Sequence, residues 1–374
     1  MTGREWERAL SRTLVIGNKD NDKIKEQRQK CPLVSIIVLN WNGEKVIRKC
    51  LNSVKRLNYP SVEVIVVDNG STDASIDIVS RDFPDFRLLK NDKNLGFSAG
   101  MNVGIAESRG DLILLYNNDA IAHPESLSEM VKTMLLDDAT AIVGGLILYD
   151  NPKDVIESRG GKFDPITGVI WADGNGERLP SQRPQNEDIV TDLEYVSGCA
   201  LLAKRDVIQK IGLFDEEFIL WSQDLDWCLK AKRAGFKCVL DTSAKIRHVG
   251  SYSSRRTPLK SYSGKLKSDI QVIMLHFPVV PMLSALFFQV FVVPFVDALV
   301  FKQPGIRARS RLQARVIAIC ENLKNIKGIK SKRKQIAALG TLRMKPRKLE
   351  LVKFIVFRVR TTEFYSGMLL QEVH

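Results

Sequence analysis

Four places in the chain put ionisable groups where chemistry could use them, and three of these follow apolar runs. Leu112 to Leu115 form an apolar stretch of the kind that makes a strand buried on both faces, and it ends in Tyr116-Asn117-Asn118-Asp119. A polar cluster of this sort cannot stay in a core unpaired, so the backbone must surface there and deliver a carboxylate and two amides to one sheet edge. In open α/β sheets that edge binds ligands. Oxygen ligands at such a place suit a hard divalent cation; Mg2+ keeps one or two carboxylates plus substrate phosphates. The plainer reading is an Asn-Asn-Asp turn that merely closes a strand.

Asp68 ends a second apolar run, Val62 to Val67, and opens Asp68-Asn-Gly-Ser-Thr-Asp73. It is placed either to accept hydrogen bonds from a ribose or base edge or to bond its own turn backbone. Asp224 and Asp226 open a helical stretch, where the dipole stabilises an anion and capping alone explains one of them. One residue apart on a helix, the two point in different directions and have separate tasks. His248 sits in a polar stretch after a strand. It is either a surface imidazole or, if the fold returns it to Asp119, half of a mixed O/N metal site suited to Mn2+ or Mg2+ with positions open for a diphosphate.

The elements that position these groups are readable in outline. Residues 1–30 are polar and read as a solvated arm. Beyond them, strands are expected at Leu33–Leu39, Val62–Val67, Arg87–Leu89 and Gly110–Leu115, with helices over 44–56, from about Thr72 to Phe83 and from Asn94 to Ser108. Ser71 or Thr72 is a candidate cap for the second of these helices, with Asp73 in its first turn. Strand and helix alternating at short spacing imply βαβ units and a mostly parallel sheet. Neither a G-x-G-x-x-G fingerprint nor a Walker A loop is present. Residues 150–190, rich in Gly, Pro, Asp and Asn, read as a long variable loop. A helix over Lys204–Ile211 and another through Trp221–Gly235 follow, and then a strand at Lys237–Leu240.

The order Leu39-Asn-Trp-Asn42, Asp68-Asn-Gly-Ser-Thr-Asp73, Asn94-x-Gly-Phe-Ser-Ala-Gly-x-Asn102, Asn117-Asn-Asp119, Gln223-Asp-Leu-Asp226 and His248 resembles the family 2 inverting glycosyltransferases of GT-A fold, in particular their rhamnosyltransferase-like branch. The similarity covers about residues 32–255. It implies a Rossmann-like sheet flanked by helices. Asn40 and Asp68 would contact the nucleoside of a UDP-, dTDP- or GDP-sugar, with Asn94, Asn102 and Asn118 around the donor. Asp119 would be the last residue of a D-x-D motif and would bind Mn2+ or Mg2+ together with His248. Asp224 would be the base that deprotonates an acceptor hydroxyl, with Trp221, Gln223 and Asp226 as acceptor or supporting residues. Two departures stand out. Asn117 replaces the first D-x-D acid, which removes a carboxylate from the metal site. Gln223 replaces the Glu beside the base, and losing a like charge there works to lower the pKa of Asp224.

At 374 residues and 44% hydrophobic content the chain can build a large core. Six cysteines without Cys-x-x-Cys pairing read as reduced thiols in a cytosolic setting, and no signal peptide precedes the first strand. The net charge of +13 is concentrated: from Phe301 onward there are eighteen Lys and Arg against four acids, so the rest of the chain is close to neutral. That argues against nucleic acid across the main domain and for an anionic surface met by the tail. Phe277 to Val296 carries no charge and is long enough to span a bilayer, but Pro278, Pro281 and Pro294 interrupt it. A single span would also separate a cytoplasmic catalytic domain from a Lys/Arg-rich tail that belongs on the same side. The expectation is a re-entrant or interfacial segment at the cytoplasmic face of the membrane, with 349–359 as a further amphipathic anchor. A buried C-terminal bundle or an oligomer interface is the alternative. The expected division is an arm at 1–30, a catalytic domain at 31–255 with a nucleotide half to 120, and a mainly helical, membrane-associating region at 256–374. The expected acceptor is a lipid-linked or cell-surface glycan. A catalytically weak scaffold for glycan assembly is the second reading, supported by Asn117 and Gln223.

Overall fold

A computed structural model describes residues 31–180, 188–219, 221–249, 258–294, 308–342 and 344. The N-terminal arm and the 349–359 anchor lie outside these.

The first half follows the expected alternation. Strands β1 (Val34–Asn40), β2 (Val62–Asp68), β3 (Arg87–Lys90) and β4 (Leu112–Asn117) are interleaved with helices α1 (Ile47–Lys55), α2 (Ser75–Asp82) and α3 (Phe97–Glu107). All their pairings are parallel, β1 lying between β2 and β4. The pleat sorts side chains to opposite faces. Val34, Ile36 and Val38 of β1 pack into one core layer with α1, while Ile37 meets Met101 and Ile105 of α3 in the other.

Beyond Asp119 the chain forms β5 (Ala120–Ala122), α4 (Ser126–Leu135) and the fully buried β6 (Thr140–Tyr149). Three short strands follow, β7 (Ile156–Ser158), β8 (Gly161–Phe163) and β9 (Ile170–Ala172), so 150–190 is more ordered than the expected loop. Then come β10 (Ile189–Val190), β11 (Ala200–Lys204), α5 (Arg205–Ile211), α6 (Gln223–Arg233) and β12 (Lys237–His248). The last strand runs eight residues past the expected Leu240 and reaches the histidine itself.

The main sheet has ten strands in the order β10-β12-β6-β11-β4-β1-β2-β3, with β5 on β12 and β7 on β6. It is mixed rather than mostly parallel. The chain leaves β6 at the same edge where β4 ends, wanders through β7–β10, and re-enters between β4 and β6 from that edge. Ala200, the first residue of β11, pairs with Tyr116 near the end of β4. A strand entering there can only run antiparallel to both neighbours.

The C-terminal part is helical: α7 (Pro258–His276), α8 (Val279–Phe287), a π-helical turn at Phe288–Val292, α9 (Ala308–Lys324) and α10 (Ile326–Ala338). Phe277, Ile273 and Leu275 share a third core cluster with Leu225, Leu229 and Phe218, which ties these helices to α6. Among the described residues no helix is long and apolar enough to cross a membrane.

Candidate active site

The ends of β1, β2 and β4 are joined by a chain of amide and carboxylate hydrogen bonds. Asn40 is 1% exposed, and its amide nitrogen donates to Asp68 Oδ1 at 2.9 Å and to Ser75 Oγ at 2.9 Å. Its amide oxygen accepts from Asn118 Nδ2 at 2.9 Å. Gly43 makes this possible, because a Cβ there would collide with both Asn40 Oδ1 and the Asn118 amide. The other oxygen of Asp68 accepts from the Ser71 N–H at 2.9 Å, so the turn reading holds for one of its two oxygens. Ser71 does not cap α2. Its hydroxyl instead accepts from the Asn42 N–H at 2.8 Å, and Asp73 takes over the helix start by accepting from the Ser75 N–H at 3.1 Å.

Asn94 and Asn102, expected side by side around a donor, are placed differently. Asn94 is exposed, and its oxygen accepts from Asn69 Nδ2 at 3.1 Å and from the Gly96 N–H at 2.8 Å. Asn102 is buried, with both ends of its amide bound to one distant backbone residue. Its nitrogen donates to the Phe214 carbonyl at 3.0 Å and its oxygen accepts from the Phe214 N–H at 3.1 Å. That geometry pins the 213–219 loop onto α3. The Phe97 N–H adds a 2.6 Å bond to the Ile219 carbonyl, beside Gly96, whose positive φ of 87° leaves no room for a side chain against Ile219.

Asp119 and His248 come together as expected, because β5 pairs with the end of β12. His248 Nε2 lies 3.1 Å from Asp119 Oδ1. On its far side, Nδ1 lies 2.8 Å from Glu157 Oε2, a residue of β7 that carried no signal inside the Gly/Pro-rich stretch. Burial works against a charged ring, but Cys199, Glu157 and Asp119 around it outweigh that and raise His248 well above its ordinary value. Among the described residues no group of three or more His, Cys, Asp and Glu side chains is arranged to hold a metal.

Asp224 lies in the first turn of α6. Its Oδ2 accepts from the Gly198 N–H at 2.9 Å and its Oδ1 from the Leu225 N–H at 2.9 Å. The next residue along, Cys199, accepts from the Asn117 N–H at 3.1 Å, so two links of backbone connect this carboxylate to the Asn117–Asp119 turn. Burial raises the Asp224 pKa above the usual carboxylate range, although these N–H donors and the Lys265 charge oppose it. The expected lowering through Gln223 is thus outweighed by desolvation. Gln223 is itself buried, and its Oε1 has no hydrogen-bond partner among the described residues.

Ser222, just before α6, adopts a left-handed φ of 64°, a strained position for a non-glycine residue. Its hydroxyl is held at 2.6 Å by Asp269 Oδ1 of α7, which Lys265 Nζ meets in turn at 2.8 Å through Oδ2. Trp221 is half-buried next to it.

Asp226 is fully buried and cannot touch an acceptor; it supports the helix instead. Its Oδ1 lies 2.8 Å from His276 Nε2 and its Oδ2 lies 2.7 Å from Lys230 Nζ. Burial favours its neutral form, but Lys230 and His276 hold its pKa down to about 2. Burial lowers the pKa of His276, which fits a neutral ring carrying its proton on Nε2. Asp224 and Asp226 therefore have separate partners.

Residues 35–212 match the model of glycosyl transferase family 2. An N-acetylglucosaminyl-diphospho-decaprenol L-rhamnosyltransferase of Mycobacterium tuberculosis is 24% identical over 260 residues, 63% of this chain and 82% of that protein. The glycosyltransferase AglE of Haloferax volcanii is 27% identical over 210 residues, 55% of this chain and 63% of its own length. In fold, the chain resembles the mannosyltransferase PcManGT from Pyrobaculum calidifontis, solved with GDP-Man and Mn2+. The TM-score is 0.51 at 16% identity, covering 90% of this chain and 92% of that one. A fragment of S. aureus TarS in complex with UDP-GlcNAc gives a TM-score of 0.51 at 15% identity, again over 90% and 92%. Residues 35–212 thus match a glycosyl transferase family 2 domain, carried on a GT-A-like mixed sheet and shared with relatives that are glycosyltransferases.

Proposed function

We propose that the protein is an inverting glycosyltransferase that moves a sugar from a nucleotide-sugar donor to a hydroxyl of a lipid-linked or cell-surface glycan. The observation that carries this reading is the meeting at one sheet edge of the Asn40–Asp68 pair, the Asp119–His248 pair and a desolvated Asp224. The Mycobacterium tuberculosis relative, whose name gives it a lipid-diphosphate acceptor, supports the choice of acceptor class.

In the reaction, the acceptor hydroxyl gives its proton to Asp224 while its oxygen forms a bond to the anomeric carbon. The bond from that carbon to the diphosphate breaks on the opposite face, and the nucleoside diphosphate leaves with the electron pair. One displacement inverts the centre and needs no enzyme nucleophile. Asp224 suits the role because burial makes its carboxylate a stronger base than an exposed one. The Gly198 and Leu225 N–H groups fix its orientation. The Asn40–Asp68 pair, with Asn94 and Asn118 near it, forms the nucleoside wall, and Asn102 acts by holding the 213–219 loop.

The Asp119–His248 pair fits a divalent cation, since a mixed O/N donor set suits Mn2+ or Mg2+, and these two side chains would hold the ion. Such an ion would supply charge neutralisation for the leaving group. Glu157 then orients His248 from behind, as carboxylates do for metal-bound imidazoles. Residues 31–120 make the donor half and 121–255 the acceptor half.

Nucleotide release from UDP-, dTDP- and GDP-sugars with Mn2+ or Mg2+, in wild type, Asp224→Asn and Asp119→Ala, tests the reading. Turnover of one donor that both variants lose is the expected result. Because Asn117 and Gln223 replace acids, a scaffold for other transferases is the second reading, and no release from any donor would favour it.

A further inference from the structure

The segment after α7 is built inside out. Along α8 and the π-helical turn, Ala285, Gln289 and Val293 form the buried row. The polar groups on this inner side are satisfied there: Ser284 Oγ donates to the Ile166 carbonyl at 2.9 Å and Gln289 Nε2 to the Thr167 carbonyl at 3.2 Å. The outward row is apolar. Val279, Val280, Leu283, Phe287 and Phe291 follow at helical spacing and are 59%, 77%, 58%, 56% and 64% exposed. The Phe287 and Phe291 rings meet at a tilt with centroids 5.2 Å apart, which makes a continuous aromatic end to the stripe. Isolated exposed apolar residues need no explanation, but a five-residue stripe on one helix face does.

Charge narrows what covers it. The helices beside this segment are basic: Lys324, Lys327, Lys330 and Lys334 are exposed, and Glu321 is the one acid in α9 and α10. Arg315 of α9 donates to the Gln289 carbonyl at 2.9 Å, tying the basic helices to the apolar one. A second copy of the chain would set one such cationic region against another. An anionic lipid surface instead complements both features, taking up the apolar row and pairing with the lysines.

We infer that the outward face of α8 and its π-helical extension docks on an anionic lipid bilayer. This rests on the proposed lipid-linked acceptor only for its purpose, because docking would bring the base to the acceptor. Asp269, which holds Ser222 at the entry to α6, lies on α7 about 10 Å along the axis from the end that leads into α8. The helix that carries this face is thus joined to the one that holds the entry to α6, which links docking to the position of Asp224.

The test is co-sedimentation of the full chain with vesicles of phosphatidylcholine alone or mixed with phosphatidylglycerol, comparing wild type with V280D and F287D. Wild type is expected to pellet with the mixed vesicles and to be released when salt shortens the screening length. Each variant should lose about tenfold in binding. Donor hydrolysis should be unchanged in both variants, which separates failure of docking from failure of the enzyme reading. Wild type left in the supernatant with every vesicle, or variants that pellet like wild type, would overturn the inference. A dimer in light scattering that F287D converts to monomer would overturn it too, by giving the face to a second copy.

Discussion

Two corners of the molecule hold carboxylates ready by opposite means. At the β1–β2–β4 edge, Asp68 is fixed by neighbours that are polar and uncharged: Ser71 in its own turn, Asn40 on the adjacent strand, and through it Asn118. At the α6–α7 corner, Asp226 is fixed by a lysine one helical turn away and a histidine fifty residues on, inside a core. The first arrangement needs the parallel pairing of β1 with β2 and β4 and the turns that follow them. The second needs the C-terminal helices in place before α6 can keep its charge buried. Asp224 stands between the two, on the charged helix but oriented by backbone N–H groups.

The sharpest way to break this comparison is to neutralise the two helix carboxylates separately. Asp224→Asn should lower kcat by about a thousandfold, as loss of a general base does, while the fold is kept. Since the Asp224 pKa is raised, the wild-type rate should fall on the acid side above the ordinary carboxylate range of about 4. A pH–rate profile reads that limb directly.

Asp226→Asn should instead cost about 3 kcal/mol of stability in urea, because it leaves buried Lys230 without its partner. The sign follows from the direction of its shift. A carboxyl held at about 2 stabilises the fold above its unfolded pKa of about 4 and loses that contribution as pH falls towards 2. Wild type should therefore lose stability across that window more steeply than the variant.

Glu157→Gln is the next smaller effect. Weakening the support behind His248 should raise the Mn2+ concentration for half activation by about thirtyfold, measured by titrating metal into the donor-hydrolysis assay. Asn102→Ala removes two hydrogen bonds that hold the 213–219 loop to α3. It should cost about 2 kcal/mol by leaving the Phe214 backbone groups unpaired, and circular dichroism in urea measures it.

The same contrast explains what could be read in the sequence. Asp68, Asn117–Asp119 and their strands were legible because periodicity and turn chemistry act over a few residues, and the parallel pairing of β1 to β4 followed. Asp119 and His248 were linked by motif order, and β12 does bring the histidine back. Glu157 was invisible because β7 is three residues long and has no period to detect. Asn102 looked like a donor residue because an amide after a Gly-rich loop gives no hint that a backbone segment more than a hundred residues later takes both its ends. The direction of the Asp224 shift was out of view for a related reason: Gln223 was visible as a missing charge, whereas the burial that raises this pKa was not. The antiparallel β11 also depends on where the chain re-enters the sheet, which no local pattern encodes.

That re-entry has an evolutionary consequence. The excursion from Tyr149 to Ala200 begins and ends on adjacent strands of one sheet, β6 and β11, so its two ends are already fastened together. Doubling the length of a loop closed in this way costs only about 0.6 kcal/mol of chain entropy. The segment therefore behaves as an exchangeable cassette on a fixed chassis. A relative's 159–196 equivalent, spliced so that Glu157, Gly198 and Cys199 are kept, should fold and change the substrate preference, while the nucleotide edge and the base stay where they are.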